Sequence, residues 1–500
     1  MGESKIHIGS QIEKIFSYGK WYLLASLATK GLGLFLLPVY TRYLSPEEYG
    51  KLNVLMSLVS VVGIFISLYL DTAYERFFFD RKTDGERSTL FSTLLGFVLV
   101  WGLLIVGVGL VASKVFITKN LNITFFPYIP IEMVISLASQ VGSFGQSHYK
   151  CRLQAKTIAS VLVVTALFNG GLSVALLVGF DLGVLARLIG MTVASLLTVG
   201  LYGYLFFKDG LLTWELSSNA LRQALSYALP LLPRLLTQWI VGASDRVLLT
   251  LYGKTAEAGV YSVAHLVGSS LLLFENAIFN YVYGPVMLSM LVDNHELAKV
   301  RIARFFRFYL WIFIMIALSV SFFAKEIVII MADSDFASAY VAVPIISFGY
   351  VLSALQKPFN QILRYHKATW LISVGTIGHS VVSLSLNVVL IPKVGKIASA
   401  WAVLGAFLFL FVWMFSWSQK YDRLALDTKN LVSIVILLLI SGGFGLLVSN
   451  LEQSFVIMLF LKMLVVVSTL VLSFILPVFT KQQRQEAFFM ILELRQNLVG

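Results

Sequence analysis

The sequence predicts an all-α integral membrane protein with fourteen transmembrane helices. Two observations carry this prediction. Apolar residues make up 58% of the 500 residues and charged residues only 13%, whereas soluble chains carry about 25% charged residues. Apolar stretches of roughly 20 residues, long enough to cross a bilayer as helices, also recur along the whole chain. This composition excludes an ordinary soluble enzyme, a disordered protein and a nucleic-acid-binding protein.

The predicted spans follow one another with short connections. In chain order they cover residues 18–40, 52–70, 89–112, 125–144, 157–179, 184–206, 225–248, 260–288, 305–324, 338–355, 369–391, 397–418, 431–449 and 455–478. The tenth span is the weakest, because Pro344 lies inside it and the segment before it is polar. The polar N-terminal segment does not have the pattern of a cleavable signal peptide. The short connections leave no room for a soluble catalytic domain, so we expect a transporter rather than an enzyme.

The distribution of basic residues predicts the orientation of these spans. With both termini in the cytoplasm, the termini and the even-numbered loops hold 24 of the 38 Lys and Arg residues, and the odd-numbered loops hold 10. This asymmetry is the one expected for cytoplasmic loops. The remaining four, Lys20, Lys30, Arg234 and Lys462, are assigned to the spans. Topology also explains most of the net charge of +12, so that charge does not by itself indicate an acidic partner.

An internal repeat divides the predicted chain into two parallel halves. With an offset of 209 residues, Phe16–Phe65 aligns with Leu225–Phe274 without a gap, and twelve of fifty positions are identical. Each copy carries six spans, so both enter the membrane from the same side. Transporters with such repeats bind substrate between the halves and alternate its access to the two sides. We therefore predict an N-lobe over 1–207, a cytoplasmic linker over 208–224, a C-lobe over 225–420, and spans 13 and 14 with a cytoplasmic tail over 421–500.

Three segments resemble one family of membrane proteins. The stretch Leu37–Val54 resembles the region of spans 1 and 2 in bacterial oligosaccharide flippases, which belong to the multidrug/oligosaccharidyl-lipid/polysaccharide exporter superfamily. The pair Asp245-Arg246 followed by Gly259–Ala264 is similar to their span 7–8 region, and Asn387–Gly395 resembles their span 11–12 turn. Lys396 departs from the apolar residue expected after that turn. The match covers about residues 15–420 and agrees with fourteen spans and duplicated halves.

The resemblance implies an activity, a location and partners. Such proteins move undecaprenyl-pyrophosphate-linked oligosaccharide from the cytoplasmic to the outer leaflet of the bacterial inner membrane, for lipopolysaccharide, capsule or a similar surface polysaccharide. The implied partners are this lipid, the surrounding membrane lipids, and the polymerase and glycosyltransferases of the pathway, with no nucleic acid. Flipping makes no covalent bond, so we expect no cofactor, with H⁺ or Na⁺ as candidate coupling ions. The lone Cys151 and six scattered His residues predict no metal site.

Basic and polar residues inside the spans are the predicted substrate ligands. A pyrophosphate in a cleft requires fixed positive charge, and ionisable residues within membranes usually have functional roles. Arg234 follows two prolines in Pro230–Arg234, a segment that weakens its helix. For Lys20, snorkelling to the headgroups is the alternative; for the polar side chains of span four, it is helix–helix hydrogen bonding. The predicted substrate-binding residues are Lys30, Arg234, Lys20, Gln140 and Gln146.

Two acidic residues and one histidine within the spans are candidates for ion coupling. Glu275 on span eight either binds a coupling ion or pairs with Arg234 or Lys30. Glu132 on span four is a second carboxylate, and His265 is either part of the same function or a packing residue. Charged residues at the ends of spans are candidates for gating, with simple topology or capping as the alternative. These gating candidates are Arg42, Asp71, Asp245, Arg246, Arg152 and Arg364.

Other functions remain as alternatives. A peptidoglycan-precursor flippase or a drug/cation antiporter could use the same scaffold, although an antiporter would have a more acidic cavity. A membrane polymerase or glycosyltransferase would require a long external loop with clustered Asp, Arg or His. The sequence contains one Asp-x-Asp triplet of the kind that glycosyltransferases use, Asp333-Ser-Asp335, and it lies in a short loop.

Overall fold

The computed structural model describes residues 21, 31–121, 123–293, 295–424, 426, 428–449 and 454–475, and these residues contain helices but no strand. Three short segments, Leu229–Leu231, Asn276–Tyr283 and Ser334–Val341, form 3-10 or π turns. The α-helices are α1 Leu32–Tyr43, α2 Pro46–Ser67, α3 Leu70–Phe78, α4 Asp84–Asn120, α5 Tyr128–Cys151, α6 Ala155–Phe180, α7 Val184–Lys208, α8 Ser218–Ala228, α9 Leu232–Leu251, α10 Thr255–Gly268, α11 Leu271–Glu275, α12 Gly284–Asp293, α13 His295–Phe322, α14 Ala324–Met331, α15 Val343–Leu355, α16 Lys357–Tyr365, α17 Thr369–Val394, α18 Lys396–Tyr421, α19 Thr428–Ser449 and α20 Phe455–Ile475.

The described helices have the length and apolarity of a multi-pass membrane protein. Nine candidate spans are long and apolar enough to cross a bilayer, and a bent pair of segments brings the number to ten within the described residues. Large apolar side chains such as Leu103, Phe168 and Phe460 are exposed on their surfaces, as the hydrocarbon environment of a bilayer permits. The all-α membrane fold is therefore confirmed, while the count of fourteen spans stays a prediction.

The described chain forms two compact units. Unit 1 contains the residues up to Ser262 together with Met331–Phe336, and unit 2 contains Val263–Ile330 and the residues from Ala337 onward. These units are defined by internal packing, whereas the predicted N-lobe and C-lobe follow the repeat. The lobe boundaries therefore stay a prediction.

In unit 1 the start of α2 is fixed by its own sequence. The Ser45 side chain accepts a hydrogen bond from the backbone N–H of Glu48, and the Glu48 carboxylate accepts one from the backbone N–H of Ser45. This reciprocal capping, with Pro46 at the first helical position, satisfies N–H groups that a helix start leaves free. The helix consequently begins three residues after Tyr43, where α1 ends.

Two glycines related by the repeat pack against each other in unit 1. Gly50 of α2 and Gly259 of α10 are separated by the offset of 209 residues. A Cβ atom on Gly50 would collide with the backbone oxygen of Thr255, and one on Gly259 with the backbone oxygen of Pro46. The two helices therefore approach closely only because both positions lack a side chain.

Helices are interrupted in two segments where the sequence predicts a weakened helix or span, and both segments contain or adjoin a proline. The segment Leu229–Leu231, which contains Pro230, forms a 3-10 turn between α8 and α9. Ser334–Val341 forms another 3-10 segment, and the chain bends by 49° between it and the helical residues Val343–Tyr365. The missing N–H and the fixed φ of proline account for the first interruption. The predicted weak tenth span falls on this bent pair of segments.

In unit 2, small residues allow α17 and α18 to pack as an antiparallel pair. A Cβ on Gly375 would collide with the ring of Trp413, and one on Gly378 with that of Phe409. Away from this pair, α14 and α20 are joined by a buried ion pair, in which Lys462 Nζ lies 2.7 Å from Glu326 Oε1. The π turn Asn276–Tyr283 follows Glu275 directly, and such turns are frequently found at functional sites.

Candidate functional site

Unit 1 contains a cavity of about 290 Å³ between α1, α6 and α7. Much of its wall is apolar, with Leu36 of α1 and Ile135 of α5 among the lining residues. Polar groups line the remainder: Tyr40, Thr165, Asn169, Arg187, Ser195 and Thr198. A cavity with an apolar wall and a few convergent polar groups is the usual form of a ligand site.

Arg187 is the charged residue of this cavity. Its Nη1 donates to Asn169 Oδ1 at 2.7 Å and lies 3.4 Å from Ser173 Oγ. The guanidinium carbon lies 5.3 Å from the centre of the Tyr40 ring. Within the described residues, no ion pair joins Arg187 to a carboxylate. Its positive charge is therefore held in place by neutral groups and stays available to an anion.

Two glycines allow the helices around Arg187 to approach one another. A Cβ on Gly190 of α7 would collide with Ser173 Oγ and would lie 3.1 Å from the backbone oxygen of Asn169. A Cβ on Gly170 of α6 would lie 2.8 Å from a Leu32 methyl carbon. These contacts place α6 against both α7 and α1, and so place Asn169 beside Arg187.

The hydroxyl groups of the cavity are supported by their own helices. Thr165 donates to the backbone oxygen of Val161 at 2.8 Å, Ser195 to that of Thr192 at 2.8 Å, and Thr198 to that of Ala194 at 2.9 Å. Each oxygen keeps lone pairs that can accept hydrogen bonds from a ligand. Together with Arg187 and Asn169, they can bind an anion and sugar hydroxyl groups.

The sequence prediction does not include Arg187. It counts this residue with the basic residues of the loops, although α7 begins at Val184 and Arg187 lies in its first turn. The signal that identifies it is its position three residues inside a predicted span, together with the amide of Asn169 one span earlier. The sequence-based count of basic residues within spans is therefore too low, because Arg187 lies within a span in addition to the four assigned there.

Glu132 is a buried carboxylate near this cavity. Its side chain is 2% exposed, and neither carboxylate oxygen has a hydrogen-bond partner in the described part of the chain. It precedes the lining residue Ile135 by three positions on α5, which places both on the same side of that helix. Its role as an ion-coupling residue stays a prediction, and its burial supports that prediction.

The predicted substrate ligands occupy different environments. Lys20 and Lys30 lie outside the described residues. Arg234 lies in the first turn of α9 with an exposed side chain. Gln140 is buried and donates to the backbone oxygen of Ser136 at 3.0 Å, whereas Gln146 is half-buried. The unit 1 cavity is not lined by Arg234, Gln140 or Gln146. The role of these residues in substrate binding stays a prediction.

The other two coupling candidates lie in unit 2 and have partners there. Glu275 is 2% exposed and pairs with Lys357 Nζ at 2.9 Å, while Ser353 donates to it at 3.3 Å. This partner differs from Arg234 and Lys30, the partners considered from sequence. His265 Nε2 lies 3.0 Å from the hydroxyl oxygen of Tyr350. Their role in coupling stays a prediction.

Asp245 and Arg246 form a buried pair near the end of α9. The Arg246 Nη1 donates to Asp245 Oδ1 at 3.1 Å and also to the backbone oxygen of Gly242. Its Nε donates to Ser262 Oγ at 3.3 Å. The pair therefore links α9 to α10 within unit 1, and its role in gating stays a prediction.

The other gating candidates lie at the ends of helices. Arg152 Nη2 lies 2.9 Å from Asp84 Oδ1, and Arg42 and Arg364 are exposed. Asp71 lies on α3, beyond the end of α2. Burial raises the pKa of its carboxyl above the ordinary value, and the hydrogen bond from the backbone N–H of Thr72 offsets part of this rise. Four residues later, Glu75 pairs with Lys150 at 2.9 Å. Gating by these residues stays a prediction.

Comparisons with known proteins agree with this architecture. The profile of a family described as "Polysaccharide biosynthesis protein" matches residues 19–291. The "Lsg locus putative protein 1" of Haemophilus influenzae is 21% identical over 290 residues, which cover 56% of this chain and 68% of that protein.

Solved structures of transporters share the fold. A structure of the lipid II flippase MurJ, described as inward closed, has a TM-score of 0.71 and 13% identity, with 89% of this chain and 98% of that chain covered. A mutant of the Vibrio cholerae MATE transporter VcmN has a TM-score of 0.56 and 14% identity, covering 83% and 98% of the two chains. The resemblance seen in the sequence is thus confirmed: the chain belongs to the family of polysaccharide biosynthesis proteins, and it shares its fold with these MurJ and MATE structures.

Proposed function

We propose that this protein is a flippase that moves an undecaprenyl-pyrophosphate-linked oligosaccharide from the cytoplasmic to the outer leaflet of the bacterial inner membrane. The observation that carries the proposal is Arg187, a cation without an ion-pair partner among the described residues, in a cavity that combines an apolar wall with several polar groups. The family of the chain is that of polysaccharide biosynthesis proteins. The MurJ-like fold supports movement by alternating access. Both termini then lie in the cytoplasm, as the distribution of basic residues predicts.

The cavity provides the chemistry that this movement requires. The barrier is the transfer of sugar hydroxyl groups and a pyrophosphate through hydrocarbon, and each polar group without a partner costs about 2–7 kcal/mol. Hydroxyl and amide groups such as those of Ser195, Thr198 and Asn169 would replace water around the sugar. Arg187 would pair with a phosphate, since a guanidinium binds phosphate oxygens in a two-point geometry. The polyprenyl chain stays in the lipid, where it costs nothing to bury.

One arginine neutralises only part of a pyrophosphate. Lys30 and Arg234 remain the proposed additional cations. Lys30 precedes α1, the helix that carries the cavity residue Tyr40. Replacing both residues by alanine should impair export if this proposal is right.

We propose that Glu132 binds the coupling ion. A buried carboxylate without a hydrogen-bond partner among the described residues is a group that a proton or a bound cation would satisfy. Glu275 is the weaker candidate for this role, because Lys357 neutralises its charge. Proton or sodium coupling would then act through unit 1.

The MATE-like alternative, a drug/cation antiporter, is disfavoured by the charge of the cavity. A cationic drug requires an acidic site, yet among the described residues that line this cavity, the ionisable groups are Arg187 and the phenol of Tyr40. The second alternative is a peptidoglycan-precursor flippase, and lipid II is the substrate named for MurJ. A diphosphate substrate would satisfy Arg187 in either case. The match to the polysaccharide family favours the first proposal.

Complementation tests the proposal in cells. A strain that lacks this protein should lose its surface polysaccharide and accumulate the lipid-linked oligosaccharide. The wild-type chain and Lys208→Ala, which removes an exposed charge from the other end of α7, should restore export, whereas Arg187→Ala should not. Restoration by Arg187→Ala at equal protein level would refute the assignment of Arg187. Loss of peptidoglycan synthesis instead of surface polysaccharide would favour the lipid II alternative.

A further inference from the structure

Three helices of unit 2 end at one place and bring two histidines and an aspartate together. His295 is the first residue of α13, His366 follows the last residue of α16, and Asp422 follows the last residue of α18. Their possible ligand atoms all lie within 4.8 Å of one another. The residues are far apart in the sequence, so no spacing motif reveals them.

The distances within this cluster suit a metal ion. His295 Nε2 lies 2.8 Å from Asp422 Oδ2, and His366 Nε2 lies 3.7 Å from the same oxygen. Ligand atoms of a tetrahedral zinc site lie about 3.3–3.6 Å apart, because metal–ligand bonds to nitrogen and oxygen are about 2.0–2.2 Å long. The two distances bracket this range, so a small movement of the side chains would accommodate an ion.

The cluster also contains unsatisfied polar atoms. His366 Nε2 is buried and has no hydrogen-bond partner within the described residues, and the buried Asp422 Oδ2 has His295 Nε2 beside it at 2.8 Å as its near polar neighbour. Asp422 is almost completely buried, with 5% of its side chain exposed. Nδ1 of His295 also has no partner in the described part of the chain, while its Nε2 faces Asp422 Oδ2 at 2.8 Å, so a bound zinc ion would displace the proton that Nε2 shares with this carboxylate. Buried groups of this kind are normally satisfied by hydrogen bonds or metal ions.

A neighbouring lysine leaves one oxygen of the carboxylate available. Lys299 Nζ lies 3.6 Å from Asp422 Oδ1 and 2.6 Å from Glu296 Oε1. It therefore faces the oxygen opposite to the one that the histidines approach. An ion cluster of Lys299, the two histidines and Asp422 without a metal is the competing arrangement.

We propose that His295, His366 and Asp422 bind a Zn²⁺ ion. Two imidazoles and one carboxylate are ligands that zinc accepts, and three protein ligands leave a fourth position for water. The ion would fasten the ends of α13, α16 and α18 to one another. This site lies within unit 2 and is independent of the proposed transport function.

Metal analysis of the untagged, full-length protein in detergent tests the proposal. After treatment with a chelator, incubation with Zn²⁺ and gel filtration, the wild-type protein should retain about one zinc ion per chain. His366→Gln and Asp422→Asn should lower zinc affinity at least about tenfold. His379→Gln, which changes another histidine of unit 2, should bind zinc as the wild type does. Equal zinc binding by wild type and the ligand variants, or none by the wild type, would overturn the proposal.

A second variant covers the case in which the first variants fail to fold. His366→Cys replaces one ligand by a thiolate, which also binds Co²⁺ and Zn²⁺. With Co²⁺ as the probe, this variant should gain a sulfur-to-cobalt charge-transfer band that the wild-type protein lacks. A folded variant without that band would show that residue 366 is not a metal ligand.

Discussion

At the scale of single residues, the cavity depends on contacts that leave no space for an added methyl group. Gly190 shows this most clearly, since a Cβ there would collide with Ser173 Oγ. Gly190→Ala should destabilise the protein by about 1–3 kcal/mol through overpacking, and it should also displace the partners of Arg187. Thermal unfolding in detergent would measure the stability. Gly171→Ala is the matched control because nothing lies within 4 Å of its added Cβ; equal stability of the two variants would contradict the packing described here.

The buried carboxylate of Glu132 makes a separate prediction. Glu132→Gln keeps the size of the side chain but removes its ability to ionise, so transport should lose its dependence on a proton or sodium gradient. The measurement is substrate movement in vesicles with and without an imposed gradient. Glu47→Gln, at an exposed position, should keep that dependence. An unchanged gradient dependence in Glu132→Gln would assign coupling to another group.

Some of these residues could be predicted from the sequence and others could not. Glu132 and Glu275 are identifiable because a carboxylate inside an apolar stretch is conspicuous. Arg187 lies three residues inside a predicted span, but the count of basic residues places it in a loop, because a charge so close to the end of a span resembles the loop residues that set topology. Lys357, the partner of Glu275, belongs to a connection in the predicted spans, and only the fold brings the two together.

At the scale of helices, local sequence determines where a helix starts and breaks, but not which helices pair. The cap at Ser45 and the interruption at Pro230 follow from side-chain and proline chemistry. The π turn at Asn276–Tyr283 contains no proline itself and lies inside the predicted span 260–288, so no interruption is predicted there from the sequence. The pairing of α14 with α20 likewise rests on Glu326 and Lys462, which are distant in the sequence.

That buried ion pair yields a prediction about stability. Lys462→Met leaves the Glu326 carboxylate buried without its partner, which should cost about 3–5 kcal/mol. The double variant Glu326→Met/Lys462→Met should recover most of this loss, because an apolar pair of similar volume needs no charge compensation. Denaturation in detergent measures the change. Lys325→Met, an exposed neighbour, should stay within about 0.5 kcal/mol of the wild type. If Lys462→Met were as stable as the wild type, the burial of the Glu326 carboxylate would not require its ion pair with Lys462.

At the scale of the whole molecule, composition and hydropathy were enough to predict a helical membrane protein, and specific sequence segments were enough to predict its family. Both predictions are confirmed. Gly50 and Gly259, which the predicted repeat pairs, pack against each other, while the repeat arrangement of the helices stays a prediction. The position of the cavity could not be predicted, since it results from the approach of α1, α6 and α7 rather than from any one segment.

The central claim is that the fixed charge of Arg187 binds the pyrophosphate during translocation. Its most direct test is the rate at which the purified protein, reconstituted in vesicles, exposes a lipid-linked oligosaccharide to an external glycosidase. Arg187→Ala should lower that rate about tenfold or more, as expected for the loss of a charge-assisted hydrogen bond, while Lys208→Ala should flip at the wild-type rate. Equal rates for Arg187→Ala and Lys208→Ala would contradict the account.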